Sequence, residues 1–216
     1  MSTPSTEVSR LSDRQSTERE RLDALLDATP LATIAFVRDG HPVALPTGFA
    51  RIGDEVVIHG STGSPWMRLL AEGAPAAVSV TALDGVLVAR SGFESSFHYR
   101  SAVVFGTFSV VDGSDKDAYL ETLTDRFIPG RVAEIRPSTG KELAATLVLR
   151  LPIGADNWSL KIADGWPEDP DEDVAAGGWA GVVPMTVSYG QPLRAPDCDP
   201  GIPVPASVRA LGNSQQ

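Results

Sequence analysis

HGSTGSPWMRLL (59–70) gathers a histidine, three hydroxyl side chains and an arginine around a glycine-containing turn. Ser64 is a good helix N-cap and Pro65 suits the first helical position, so a helix starts here. Its free backbone N–H groups, with the hydroxyls of Ser61, Thr62 and Ser64, make a place for an anion, phosphate above all. Arg68, one turn further on, can supply the charge. The same residues allow a plainer reading, in which Ser64 only caps the helix and Arg68 is solvated. The Gly-Lys-Ser/Thr of a Walker loop is missing.

SFHYRSAVVFG (96–106) is the second candidate. Arg100, at the mouth of an apolar strand, has the fork geometry for a bidentate phosphate clamp. Phe97 and Tyr99 can pack against a planar ring. Here too a plainer reading stands, with Arg100 on the surface and His98 in a loop. Nucleophilic catalysis has little support. No serine sits in a G-x-S-x-G elbow, and Cys198 lies in a proline-rich stretch; as a single cysteine it allows neither an intrachain disulfide nor a cysteine metal cluster. His41, His59 and His98 lack metal-ligand spacing, and the acidic run EDPDED (168–173) lacks both histidines and the spacing of a calcium loop. No metal site is expected. No acid–base pair stands out, which points to chemistry borrowed from a cofactor.

These residues must be positioned by short strands. Twenty glycines and 17 prolines in 216 residues mark many turns. A helix is predicted from a Thr17/Glu20 capping pair, with Leu22, Leu25 and Leu26 on its apolar stripe. LATIAFV (31–37), HPVALPTGFARI (41–52) and EVVIHG (55–60) read as a meander joined at Asp39-Gly40 and Gly53-Asp54. The helix after Ser64 is expected to bury Trp66, Leu69 and Leu70 and to stop at Gly73. Strands 76–83 and 85–92 read as a hairpin at Asp84-Gly85, and 101–111 as a longer strand bent at Gly106. A helix over 114–127, capped by Ser114, carries Leu120, Leu123 and Phe127 on one face. Thr139 and Glu142 cap another helix before the strand 146–151, and later strands are predicted at 157–164 and 179–190. Residues 1–15 read as a disordered segment, 16–190 as the folded domain, and 191–216 as a proline-rich, irregular tail.

The class is therefore mainly β, an antiparallel barrel that is closed or nearly so, with peripheral helices and no βαβ alternation. Net charge is −10, which argues against nucleic acid as main partner while leaving room for one local basic pocket. No stretch approaches the ~20 apolar residues of a membrane span, and the N-terminus lacks a signal-peptide core, so a cytoplasmic protein is expected.

The order of these segments resembles the flavin-binding split-barrel superfamily of pyridoxamine 5'-phosphate oxidase, closest to its nitroimidazole-reductase-like branch. The matching stretches are 41–70, VTALDGVLVARSGFESSFHYRSAVVFGTFSVV (80–111), RFIPGR (126–131), RPSTGKELAATLVLRL (136–151), SLKIADGWPEDPDED (159–173) and WAGVVPM (179–185). The resemblance implies a six-stranded split barrel and a homodimer with FMN in a groove at the interface. It places the flavin ring near Pro46, Thr47, Ile58 and His59, and the phosphate near Ser61, Thr62, Ser64 and Arg68. Tyr99, Arg100 and Ser101 carry over to the cofactor region, and Lys161 and Trp179 to the substrate side. His98 stands where this branch commonly has asparagine, and is assigned to the substrate side as well. The function implied is an FMN-dependent oxidoreductase of a small organic substrate, with NADH or NADPH as electron donor. A non-catalytic flavin- or haem-binding protein and a deazaflavin-dependent reductase are the alternatives.

Overall fold

The computed structural model describes residues 5–7, 12–113 and 115–213. In chain order the elements are β1 (Gln15–Ser16), α1 (Arg19–Ala28), β2 (Leu31–Arg38), β3 (His41–Ile52), β4 (Glu55–Ser61), α2 (Pro65–Ala71), β5 (Pro75–Val88) and β6 (Ser96–Thr107). There follow β7 (Ser109–Val110), α3 (Asp115–Phe127), α4 (Gly140–Ala145), β8 (Thr146–Pro152), β9 (Trp158–Ala163), α5 (Asp171–Ala176), β10 (Gly181–Pro184) and α6 (Ala206–Asn213). Hydrogen bonding orders the strands β1-β9-β6-β5-β2-β3-β4-β8-β7, with β10 added to β5. The path has two ends and does not close. Among the described residues there are ten strands, three of them the short β1, β7 and β10, against the six implied by the resemblance. The mainly β, antiparallel class with peripheral helices is as expected from the sequence. By contact the chain divides into two units, residues 1–47, 75–106 and 153–186 in one and 48–74, 107–152 and 187–216 in the other.

In the first unit α1 buries Leu22, Leu25 and Leu26 completely. The Thr17/Glu20 capping box does not form. Glu18 holds the cap position without a side-chain bond, and its own N–H donates to the Ser16 hydroxyl. Asp39 and Gly40 adopt successive positive φ angles of 52° and 77°, as the predicted two-residue hairpin requires. The Asp84-Gly85 hairpin is overturned, because β5 runs unbroken from Pro75 to Val88. Gly85 lies opposite Pro184 of β10, where a Cβ would stand 2.9 Å from the Val183 carbonyl oxygen. The glycine serves a close backbone approach there, not a turn. Burial along β5 also changes phase, from Ala76, Val78 and Val80 to Gly85 and Leu87, which broke the alternation a strand reading relies on. β6 begins at Ser96, five residues before the expected start, and the strand breaks at Phe108, with β7 following from Ser109.

Three further expectations about the late chain are corrected. The strand expected over 179–190 contracts to the four residues of β10. The acidic run is half helix: α5 starts at Asp171, and Asp169, with its side chain 1% exposed, accepts from the Arg90 backbone N–H and guanidinium at 2.8 and 2.9 Å. The irregular tail contains α6, whose Ser207 donates from its N–H and its hydroxyl to Glu134.

In the second unit, the end of β3 pairs with β4, β4 with β8 and β8 with β7, all antiparallel. α3 covers one face, packing Leu123, Leu120, Tyr119 and Phe127 on Ala50, Val57, Val111 and Val148. The predicted Ser114 cap lies outside the described residues. α2 covers the other face. It buries Met67 and Leu70 rather than Trp66 and Leu69, because glycine at position 60 leaves room for Met67, whose Cγ would stand 2.9 Å from a Cβ there. Gly73, at φ 88°, ends α2 in a Schellman turn, with Gly73 N–H to Leu70 and Ala74 N–H to Leu69. The Thr139/Glu142 capping box forms in full.

Candidate functional site

β4 and its exit turn carry the first group of residues. Ile58 is fully buried on the α2 face, so it is a core residue and not a wall for a flavin ring. Strand alternation sends His59 and Ser61 to the opposite face. His59 reaches solvent, yet its ring is desolvated enough to lower its pKa, which keeps the imidazole neutral at physiological pH. In the turn, the Ser61 hydroxyl accepts from Gly63 N–H at 3.1 Å and the Ser61 carbonyl from Ser64 N–H at 3.0 Å. Thr62 donates from both its N–H and its hydroxyl to the Ala145 carbonyl, at 2.9 and 3.2 Å. The turn thus satisfies its own N–H groups, and no open backbone cradle is left at residues 62–64. Ser64 sits at the cap position, with its hydroxyl making no cap bond. Arg68 is exposed and has no ion-pair partner among the described residues. Ser64 and Arg68 are therefore the groups here that fit a phosphate.

β6 and β9 carry the second group, in the first unit. Arg100 is held by Asp84 through two parallel bonds, Nε to one carboxylate oxygen at 2.9 Å and Nη2 to the other at 2.8 Å. That hydrogen bond raises the guanidinium pKa against the effect of burial. The clamp foreseen for a phosphate is closed on an internal carboxylate. The register also splits the YRS triplet. Tyr99 lies opposite Ala163 and Ser101 opposite Lys161 on one face, while Arg100 shares the other with buried Ala102 and Val104. Tyr99, Ser101 and Lys161 therefore form one surface, and Lys161 has no salt bridge among the described residues. His98 is fixed by a 2.7 Å bond to the Gly165 carbonyl, donated from Nε2, which anchors the loop before α5. Trp179 is 67% exposed beside Gly181, where a Cβ would approach its ring to 3.1 Å. Pro46 is exposed and Thr47 half-buried on β3.

Sequence reasoning missed Asp84, which it took for a turn residue, and Asp169, which it took for part of a solvated acidic run. Neither carries a local signal, since each acts through an arginine distant in the chain. Glu55 is a third such carboxylate, accepting from Tyr119 at 2.8 Å and Arg150 at 3.2 Å. Among the described residues no three histidine, cysteine or carboxylate side chains gather as a metal site. A depression lined by Leu120, Val132, Ile135 and Arg136 has a volume of about 80 Å³. Ligand pockets usually run to ~300 Å³ or more, so this one is too small for a flavin.

Comparison with known proteins adds a strong signal. The family model described as pyridoxamine 5'-phosphate oxidase matches residues 18–157. A solved FAD- and haem-binding protein from Mycobacterium smegmatis is 72% identical, with a TM-score of 0.90, covering 92% of this chain and 97% of that one. The flavocytochrome Anf3 from Azotobacter vinelandii is 33% identical with a TM-score of 0.88, covering 95% of each chain. A protein from Bacteroides thetaiotaomicron described as a 5-nitroimidazole antibiotic resistance protein, at 12% identity and a TM-score of 0.58, shares the fold over 68% of this chain and 86% of its own. No curated protein matches the sequence.

Proposed function

Because the chain belongs to the pyridoxamine 5'-phosphate oxidase family, we propose that it is a flavin-binding protein that also binds haem. The observation that carries this reading is the 72% identity, over 92% of the chain, to a protein described as binding both FAD and haem. The flavocytochrome relative at 33% identity supports the same pairing. FAD therefore takes precedence over the FMN implied by the family resemblance. Both groups, when bound, supply electron transfer that the chain's own side chains lack.

The residues present fit such groups through their donor chemistry. Ser64 and Arg68 offer a hydroxyl and a cation to a phosphate. Tyr99, Ser101 and Lys161 offer an aromatic face, a hydroxyl and an ammonium on one sheet surface. Arg100 acts on this surface indirectly, by tying β6 to the Asp84 carboxylate of β5. The protein assembles as a homodimer, and exposed Phe93 and Phe97, at 89% and 52%, are side chains such an interface would cover. It works in the cytoplasm, where no helix long and apolar enough to cross a membrane is needed. Turnover of a small organic substrate at the expense of NADH or NADPH is the second reading, favoured by Lys161, which lies opposite Ser101 and has no salt bridge among the described residues.

The absorption spectrum of the purified protein, with mass analysis of any released flavin, tests the first reading. Flavin bands with a Soret band, and FAD on release, support it. FMN on release moves the cofactor to the nucleotide expected from the family. Protein that stays colourless after incubation with FAD, FMN and haemin overturns it. Bleaching of the flavin bands by NADH or NADPH decides for the reductase. Sedimentation as a monomer with the flavin still bound removes the interface arrangement.

A further inference from the structure

The loop that leads from β9 into α5 is pinned at both ends and carries an exposed tryptophan between the pins. At one end the Gly165 carbonyl accepts from His98 at 2.7 Å. At the other the buried Asp169 carboxylate accepts from the Arg90 backbone N–H and guanidinium at 2.8 and 2.9 Å. Pro167 and Pro170 stiffen the stretch further, since each fixes its own φ. Trp166, inside these ties, is 76% exposed. A large ring held out from a rigid loop loses little freedom when a partner covers it, which is why tryptophan is favoured as an interface anchor.

The charge around Trp166 says what kind of partner that is. Between Lys161 and Arg194 the chain has no lysine or arginine, and residues 164–173 hold six carboxylates. Asp164 and Glu168, on either side of Trp166, reach Arg21 and Arg14 at 3.9 and 3.5 Å, but stay 73% and 71% exposed. Asp171, Glu172 and Asp173 of α5 have no ion pair among the described residues. Arg90 is taken up by the buried Asp169, so the open face of the loop is acidic. An indole beside open carboxylates suits lysine and arginine, through cation–π contact and charge-assisted hydrogen bonds. A second copy of this chain would bring a net charge of −10 to the same acidic loop, so charge complementarity favours a basic protein there.

Resting on the flavin and haem reading above, we infer that the Trp166 loop, with the first turn of α5, is the docking surface for a basic electron-carrier protein. The holoprotein is titrated with ferricytochrome c, the basic probe, by isothermal calorimetry at low and at physiological salt. Trp166→Ala and the double variant Asp164→Asn/Glu168→Gln are each expected to raise Kd about tenfold, and salt to raise it for the wild type. A control, Glu72→Gln/Glu121→Gln, removes the same charge from exposed residues of the other unit and should bind within about twofold of wild type. An unchanged flavin spectrum in each variant confirms that it is folded. No binding by the wild type, no loss in the two loop variants, or an equal loss in the control overturns the docking surface while leaving the cofactor reading intact. A shift from dimer to monomer in Trp166→Ala, seen by sedimentation, gives the loop to a second copy instead and also overturns it. Wild-type protein that takes up neither flavin nor haem overturns the cofactor reading, and the electron-carrier assignment with it.

Discussion

Asp84 and Arg100 are 16 residues apart in sequence and joined by two short bonds between adjacent strands. Both side chains are about one-third exposed, at 37% and 36%, so water screens the pair and its net worth is modest. A double-mutant cycle with Asp84→Asn and Arg100→Gln is expected to show a coupling of about 1 kcal/mol in urea unfolding. A coupling indistinguishable from zero would show that the bond orients Arg100 without stabilising the sheet. Arg100→Gln also separates two kinds of contribution to flavin binding. With its fork on Asp84, its loss is expected to weaken flavin affinity less than loss of Arg68, which is exposed and has no ion pair among the described residues. Direct flavin titration of the two variants checks the order. At this scale the sequence named most of the polar side chains that matter and mistook their partners. Arginine's chemistry is visible in one letter, but the carboxylate it meets is chosen by the sheet.

β5 and β10 show what a local signal can hide. Asp-Gly between two apolar runs is a strong hairpin pattern, and at Asp39-Gly40 it is one. At Gly85 the same dipeptide lies within a continuous 14-residue strand, because β10 approaches too closely for a side chain. Gly85→Ala is expected to cost about 1–3 kcal/mol, since the clash is with backbone and cannot be relieved by a rotamer change. Amide exchange identifies the element affected: the Met185 N–H, which donates to the Asp84 carbonyl at 2.9 Å, should lose its protection along with β10. Retained protection in the variant would refute the close-approach account. Several elements with local signals are legible, including β3, the Gly73 stop and the Thr139 capping box, although the local Thr17/Glu20 pair does not form its box. β10 and α6 were misread because long-range pairing and the Glu134 carboxylate hold them.

For the molecule as a whole, charge sets the response to acid. Glu134 has a lowered pKa because the Ser207 hydroxyl and then its N–H donate to it, with Arg131 adding less. Glu142 is lowered further, chiefly by Arg136 and then by Thr139. A carboxyl depressed in the folded state stabilises the fold fully above its ordinary value of 4.5, and loses that contribution as the pH falls from there toward the folded value. Stability should therefore be flat on the neutral side and fall through the acid range. Glu142→Gln should flatten that acid limb in thermal melts across pH, and an unchanged slope would place the acid sensitivity elsewhere. Read alone, the 216 residues determined the antiparallel β class and the limits of β2, β3, β4, β8 and β9, because alternation, turn glycines and helix caps are encoded within a few neighbouring residues, while the order of the segments carried the resemblance to the flavin family. Only the tertiary structure decided that Ile58 is core, that Arg100 is paired within the fold, that YRS is split between two faces, and that His59 has no hydrogen bond on either nitrogen among the described residues. Each of these depends on which strand lies alongside and in what register, and a one-residue change of register would reverse the faces.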